Sequence, residues 1–272
     1  MIKTDSHLHS SFSSDSETPM EEIVKAAIHL GLTSICMTDH YDMDFPVTKE
    51  GVDFWLDTEP YLKEIKRLKN DYDGQIEILS GVELGIMPSL KDKLPAYLTK
   101  YDGCFDFIIG STHVVDNLDP YEPPFYGQYK DERDGMHRYF EANLENLRTF
   151  SDIDTFGHLD YVVRYAPHKD TFYVPSDYFD LIDLFLMELI KTDTALEFNT
   201  AGLKYGMKQA NPHIDILKRY KELGGELLTI GSDGHKPEHI AWDFKKGEEL
   251  LKEAGFSYYT FYRKRHPDMI RL

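Results

Sequence analysis

Two histidines one residue apart follow an aspartate in "DSHLH" (Asp5 to His9). On a strand that spacing sends both imidazoles to one face, and Asp5 joins them. Imidazoles fill a hydrocarbon core poorly, but facing a cleft they are ligands for a metal ion. The same chemistry recurs along the chain. Asp15 follows in a serine-rich stretch, His40 closes "MTDH", Glu83 closes "LSGVE", His113 closes "IIGSTH", and His158 sits in "FGHLD". Asp233 and His235 in "TIGSDGH" are again two apart and, on a strand, share a face. Singly, each has a plain structural explanation, as a hydrogen-bonded strand-end histidine or a turn aspartate. Together they sort by position. Of 12 histidines, His7, His9, His40, His113, His158 and His235 fall at or just past strand ends, while the others lie on helices or loops. Imidazole and carboxylate without cysteine suit zinc, iron or manganese. So many donors exceed what one tetrahedral ion needs, so two or three ions are expected, with Glu83 as the natural bridge. Asp5 and Asp39 are expected to accept hydrogen bonds from neighbouring imidazoles.

The elements that must position these residues are β-rich runs at Ile2–His9, Ser34–His40, Ile76–Gly85, Phe105–Val115, Thr155–Asp160, Ala195–Thr200 and Leu227–His235. Helix-favouring segments such as "PMEEIVKAAIHLG" and "PSDYFDLIDLFLMELIKT" separate most of them. Pro19 suits a first helical turn, and Gly31, Gly224 and Gly255 suit helix ends. Such alternation implies parallel βαβ units. All the runs but Ala195–Thr200 end in a His, Asp or Glu cluster. A β/α barrel builds its site at that end from several strands, whereas an open sheet concentrates it at one switch point. A closed barrel of about seven strands is expected, in one domain spanning residues 1–272. "YYTFY" (Tyr258 to Tyr262) is either an eighth strand or an edge element, and the Pro- and Tyr-rich stretch Asn117–Gly135 is either a lid or a variable insertion.

A formal net charge of −18 argues against affinity for nucleic acid or an anionic membrane. It does not exclude an anionic substrate, because bound ions reverse the local sign. Cys36 and Cys104 both lie in apolar runs and are expected as buried free thiols. The N-terminus lacks the apolar core of a secretory signal, so a cytoplasmic location is expected.

The ordered set "DSHLHS", "TDH", "GVE", "STH", "GHLD" and "GSDGH" resembles the PHP (polymerase and histidinol phosphatase) superfamily over essentially the whole chain. Within it, "FIIGSTHVVDN", "FGHLDYVVRY", "LEFNTAGL" and "ILKRYKELGGELLTIGSDGH" resemble the stand-alone histidinol-phosphate phosphatase branch. The resemblance implies a distorted (β/α)7 barrel with three divalent ions. His7, His9, Glu83 and Asp233 would hold the first ion. Glu83, His113 and His158 would hold the second, and Asp15, His40 and His235 the third. It also implies a small phosphate monoester, L-histidinol phosphate, as substrate. Another phosphoesterase of the same superfamily, acting on nucleotides, oligonucleotide ends or phosphotyrosine protein, is the alternative.

Charge is consistent with that substrate. Three divalent ions bring about +6 and three carboxylate ligands remove about 3, so a phosphate dianion and one hydroxide bring the site to about neutrality. Direct hydrolysis is expected, by a hydroxide bridging the two ions that share Glu83. Asp160 is the candidate proton donor or relay, and Ser10, Ser11, Ser13 and Ser14 read as a flexible polar loop rather than nucleophiles. Arg164 lies six residues past His158 and offers a bidentate fork to phosphate, with Arg263 in "FYRKRHP" a second candidate. Asp42, Asp44 and Asp116 are candidates to pair with the cationic groups of the substrate. Oligomeric state is not readable from the sequence.

Overall fold

The computed structural model describes residues 2–46 and 53–272. Seven parallel strands form the wall of the barrel, in the order β1 (Thr4–Leu8), β2 (Ser34–Met37), β4 (Glu77–Gly85), β5 (Phe107–Ser111), β6 (Thr155–Phe156), β7 (Ala195–Asn199) and β8 (Leu228–Gly231). The Ser34–His40 run is interrupted, so β3 (His40–Tyr41) is a separate pair of residues beside β4. The sheet closes at its C-terminal edge, where Leu8 bridges Gly234, His9 N donates to the Gly234 carbonyl at 2.9 Å, and Gly234 N donates to the His7 carbonyl at 3.3 Å.

Helices α1 (Met20–His29), α2 (Thr58–Asp71), α3 (Lys93–Lys100), α4 (Pro124–Gly127), α5 (Glu132–Thr149), α6 (Phe179–Lys191), α7 (Ala201–Lys204), α8 (Ile214–Glu222) and α9 (Phe244–Glu253) connect the strands. Their starts and stops follow local chemistry. Pro19 immediately precedes α1, and the Asp131 carboxylate accepts from Arg133 N and Asp134 N to cap α5. Gly31 and Gly255 follow α1 and α9 with φ of +72° and +93°, the left-handed turn that ends a helix at low cost only with glycine. Most of the core lies between sheet and helices, with Ile23, Leu68, Leu94, Leu147, Phe185 and Leu217 among its buried side chains. None of the described helices is long and apolar enough to cross a membrane.

A smaller core fills the barrel itself. Cys36, Leu79, Phe107, Ile109 and Ala195 meet Phe261 and Tyr262 there. The last two belong to a hairpin of β9 (Tyr258–Arg263) and β10 (His266–Arg271), paired antiparallel. "YYTFY" is therefore neither an eighth wall strand nor an edge. Tyr259 Oη contacts Thr4 Oγ1, and Thr260 Oγ1 accepts from Leu228 N, so the hairpin lies across the N-terminal mouth. Cys36 is buried as expected, but Cys104 is exposed, because it sits in the turn after α3 and not in β5. The stretch Asn117–Gly135 carries α4 and the start of α5 and is anchored by fully buried Phe125.

Candidate metal centre

Successive inward positions of β4 are Leu79, Gly81 and Glu83, so the period of two that buries Leu79 in the barrel core aims Glu83 into the opposite mouth. Gly85 continues the series. A β-carbon there would collide with the Asp42 carboxylate, so the absence of a side chain is what lets Asp42 approach. Glu83 is fully buried and its two oxygens face different neighbours. Oε2 lies 3.1 Å from His7 Nε2, 3.4 Å from His9 Nε2 and 3.0 Å from His40 Nδ1. Oε1 lies 3.0 Å from His158 Nε2 and 3.3 Å from His113 Nε2, and accepts from Ser111 Oγ at 2.6 Å.

Around this carboxylate the donors fall into sets whose ligand atoms lie within 4.8 Å of one another: His7, His9 and Asp233; Glu83, His113 and His158; His9, His40 and His235; and His40, Asp42 and His113. Asp15 Oδ2 lies 3.0 Å from His235 Nε2 and 3.6 Å from His40 Nε2. The His9 ring stacks between those of His40 and His235, with centroids 4.2 and 4.1 Å away. The nine expected ligands are thus brought together. Several lie past the ends of their strands: His9 after β1, His113 after β5, His158 after β6, and Asp233 and His235 after β8. His158 and Asp233 have φ of +23° and +51°, so turns as well as strand alternation gather the set.

The electrostatics are those of a site awaiting cations. Burial opposes ionisation of Glu83, but the His7, His40 and His113 imidazoles outweigh it and hold its carboxyl well below the usual range. Burial, reinforced by His235, His40 and His7, keeps His9 well below the ordinary imidazole value and hence neutral. His9 Nε2, His40 Nδ1, His235 Nε2 and Asp42 Oδ2 are buried with no hydrogen-bond partner. Unpartnered buried lone pairs converging from imidazole and carboxylate fit divalent ions of the zinc, iron or manganese type.

The supporting contacts depart from expectation. Asp5 accepts from Ser232 N and Oγ, Ala241 N and His7 N, so it pins the turn after β8 instead of orienting an imidazole. Asp39 accepts from Ser10 N, Ser10 Oγ and Ser13 Oγ, which makes the serine-rich loop a tethered one. Two of the imidazoles, His7 and His113, are oriented by other carboxylates. Asp42 Oδ1 holds His113 Nδ1 at 2.7 Å, leaving Nε2 to the centre. Glu197 holds His7 Nδ1 at 2.5 Å and accepts from His158 N at 2.7 Å, tying together ligands on the two sides of Glu83. Glu197 lies on β7, whose run ends without a cluster, so its sequence signal was of another kind: a lone charge inside a buried apolar strand.

Arg164 lines the cavity above the centre. Only 4% exposed, it donates to Asn211 Oδ1, Asn199 Oδ1 and Asp233 Oδ2. Asp160 does not line the cavity. Its carboxylate accepts from Asn211 Nδ2 and His213 N, so it supports the residue that holds Arg164 and is not placed as a proton donor. Arg263 is at the wrong mouth, on the hairpin, where Glu77 and Asp268 bind it. Asp44 pairs with Lys93 and Asp116 with Arg138, both outside the cavity lining.

Comparison with known proteins agrees with this geometry. The sequence matches the PHP domain family over residues 5–201. It is 34% identical to the histidinol-phosphatase of Lactococcus lactis over 94% of this chain and 93% of that protein. It is 33% identical to a probable histidinol-phosphatase of Thermotoga maritima over 93% of each. The crystal structure of the Lactococcus lactis enzyme, complexed with zinc, L-histidinol and phosphate, superposes with a TM-score of 0.87 at 32% identity and covers 98% of both chains. A Listeria monocytogenes structure at 20% identity, covering 90% of this chain and 99% of that one, shares the fold with a TM-score of 0.76. Motif order, barrel and a buried histidine–carboxylate centre at the C-terminal mouth coincide with the family match: the chain belongs to the PHP domain family.

Proposed function

We propose that this chain hydrolyses L-histidinol phosphate to L-histidinol and inorganic phosphate, with residues 1–272 acting as one domain. The observation that carries the reading is Glu83, each oxygen of which faces its own group of imidazoles beside a buried arginine. The substrate follows from the likeness to the Lactococcus lactis enzyme.

In this reading three divalent ions are held by His7, His9, Glu83 and Asp233; by Glu83, His113 and His158; and by Asp15, His40 and His235. When bound, such ions acidify water and offset the charge of a phosphate dianion. The chain's own residues do the rest. Glu197 and Asp42 fix the tautomers of His7 and His113 so that Nε2 of each faces inward. Arg164, with N–H groups left over from its three acceptors, takes a phosphate oxygen at the rim. Tyr161 and Tyr165 wall the cavity on that side and Phe45 and Phe54 also line it, which limits water around the ester. The phosphorus–ester oxygen bond breaks, water supplies the new oxygen, and the departing alkoxide takes up the proton that water loses.

Turnover on histidinol phosphate, nucleoside monophosphates, a phosphotyrosine peptide and an aryl phosphate tests the substrate. Histidinol phosphate should have the highest kcat/KM. A large preference for any of the others would assign the site to a different phosphate ester. Chelation should abolish turnover, and zinc or manganese should restore it.

A further inference from the structure

Ser13 lies in the loop that follows β1 and is 2% exposed. Its hydroxyl donates to Asp39 Oδ1 at 2.8 Å, meets His9 Nδ1 at 3.2 Å, and accepts from His40 N at 3.0 Å. A hydroxyl has one hydrogen and two acceptor lone pairs. Asp39 Oδ1 already accepts from the Ser10 N–H at 2.7 Å and so faces Ser13 as an acceptor, while the His40 N–H can only donate, so the single remaining valence of Ser13 is an acceptor. His9 Nδ1 must therefore carry the proton. Its Nε2 is left with a lone pair, buried and unpartnered, 3.4 Å from Glu83 Oε2 and 3.5 Å from Asp233 Oδ1.

We infer that Ser13 is a positioning residue that fixes the tautomer of His9 and locks His9 to His40, so that the donor sets of two different ions are held as one piece. The inference rests on the metal-centre reading above and goes beyond it. Two of the other imidazoles are oriented directly by carboxylates, His7 by Glu197 and His113 by Asp42. His9 is oriented by a hydroxyl backed by a carboxylate, and the same hydroxyl also holds the backbone of the next ligand segment.

Ser10 supplies the control. Its Oγ also binds Asp39, at 3.0 and 3.1 Å from the two oxygens, but none of its hydrogen bonds reaches an imidazole. Metal-free wild type, S13A and S10A are titrated with Zn2+ alone, and bound zinc per chain and its dissociation constants are measured. S13A should weaken zinc at the positions that His9 and His40 serve by about 10- to 100-fold, and kcat/KM should fall in step. S10A should bind zinc as the wild type does. Equal zinc affinity in S13A and wild type would overturn the inference, as would an equal loss in S10A, which would reduce Ser13 to a loop anchor. Fewer than three zinc ions in the wild type would count against the three-ion reading, while the affinity ratio still decides the role of Ser13. If S13A does not fold, nitrogen-15 spectra of labelled histidine in the metal-free wild type decide the same point, with His9 identified by its absence in H9Q. The Nδ1–H form is expected, and the Nε2–H form would refute the assignment.

Discussion

At the C-terminal mouth of the barrel, buried nitrogens and oxygens converge with no partners of their own. At the N-terminal mouth, the charged groups meet opposite charges: Arg263 on Glu77 and Asp268, Arg265 on Asp152 and Asp154, Lys69 on Asp106. Between them the barrel is filled by Leu79, Phe107, Ile109 and Phe261. One mouth is completed by protein, through a hairpin that plugs it. The other gathers imidazole and carboxylate groups that could hold metal ions. The difference separates residues that hold the barrel together from residues that use it.

Substitutions at the two mouths should therefore act on different observables. Glu83→Gln keeps the shape of the side chain but not a charged oxygen for each side. It should cost roughly 10³-fold in kcat/KM and lower bound zinc per chain, with the folded circular-dichroism spectrum retained. Phe261→Ala, at the plug, should instead cost about 3–5 kcal/mol in denaturant unfolding while leaving KM for histidinol phosphate unchanged. A loss of zinc affinity in that variant would mean the two mouths are coupled. Arg164→Ala should raise KM about 10- to 100-fold, the loss of a charge-assisted contact of about 1.5–3 kcal/mol. An unchanged KM would return Arg164 to a structural role with Asn211 and Asp233.

Smaller effects belong to the lower mouth. Burial outweighs Arg265 and pushes the Asp154 carboxyl up to about 6. A carboxyl whose folded value exceeds its unfolded one favours the folded state below about pH 4, and that contribution is lost as pH rises through about 6. In metal-free protein, Asp154→Asn should flatten this part of the stability profile; an identical slope would refute the assignment. Arg263→Ala should change stability by less than about 1 kcal/mol, since its ion pairs are partly exposed, and turnover not at all. A drop in activity there would place the phosphate site at the wrong end.

How far the sequence reaches can be judged from these residues. The barrel was legible because every run but Ala195–Thr200 carries its cluster where it ends, and that pattern survives without tertiary information. Glu197 was not, because a strand that ends without a cluster gives no reason to look within it. Ser10 and Ser13 were misread as slack chain, since their order comes from Asp39, 29 and 26 residues away. Arg263 misled because basic residues near a chain end reveal nothing about which mouth a hairpin covers. Asp160 misled differently: it lies two residues past His158 in sequence, but its carboxylate is committed to Asn211 and the His213 amide.

The seam of the barrel has a consequence for assembly. Its edges meet where His7 and His9 face Asp233, so these donors come from opposite ends of the chain. Glu83, His113 and His158 come from β4 and the segments just past β5 and β6, which are neighbours in both sequence and space. During synthesis, the latter three can be gathered while β8 has yet to be made, whereas the former must wait for the final wall strand. On the proposed metal centre, an ion captured on the unclosed sheet would serve afterwards as the template on which the last strand docks. Refolding in the presence of zinc should accordingly show two phases of uptake, the slower one coinciding with closure of the seam.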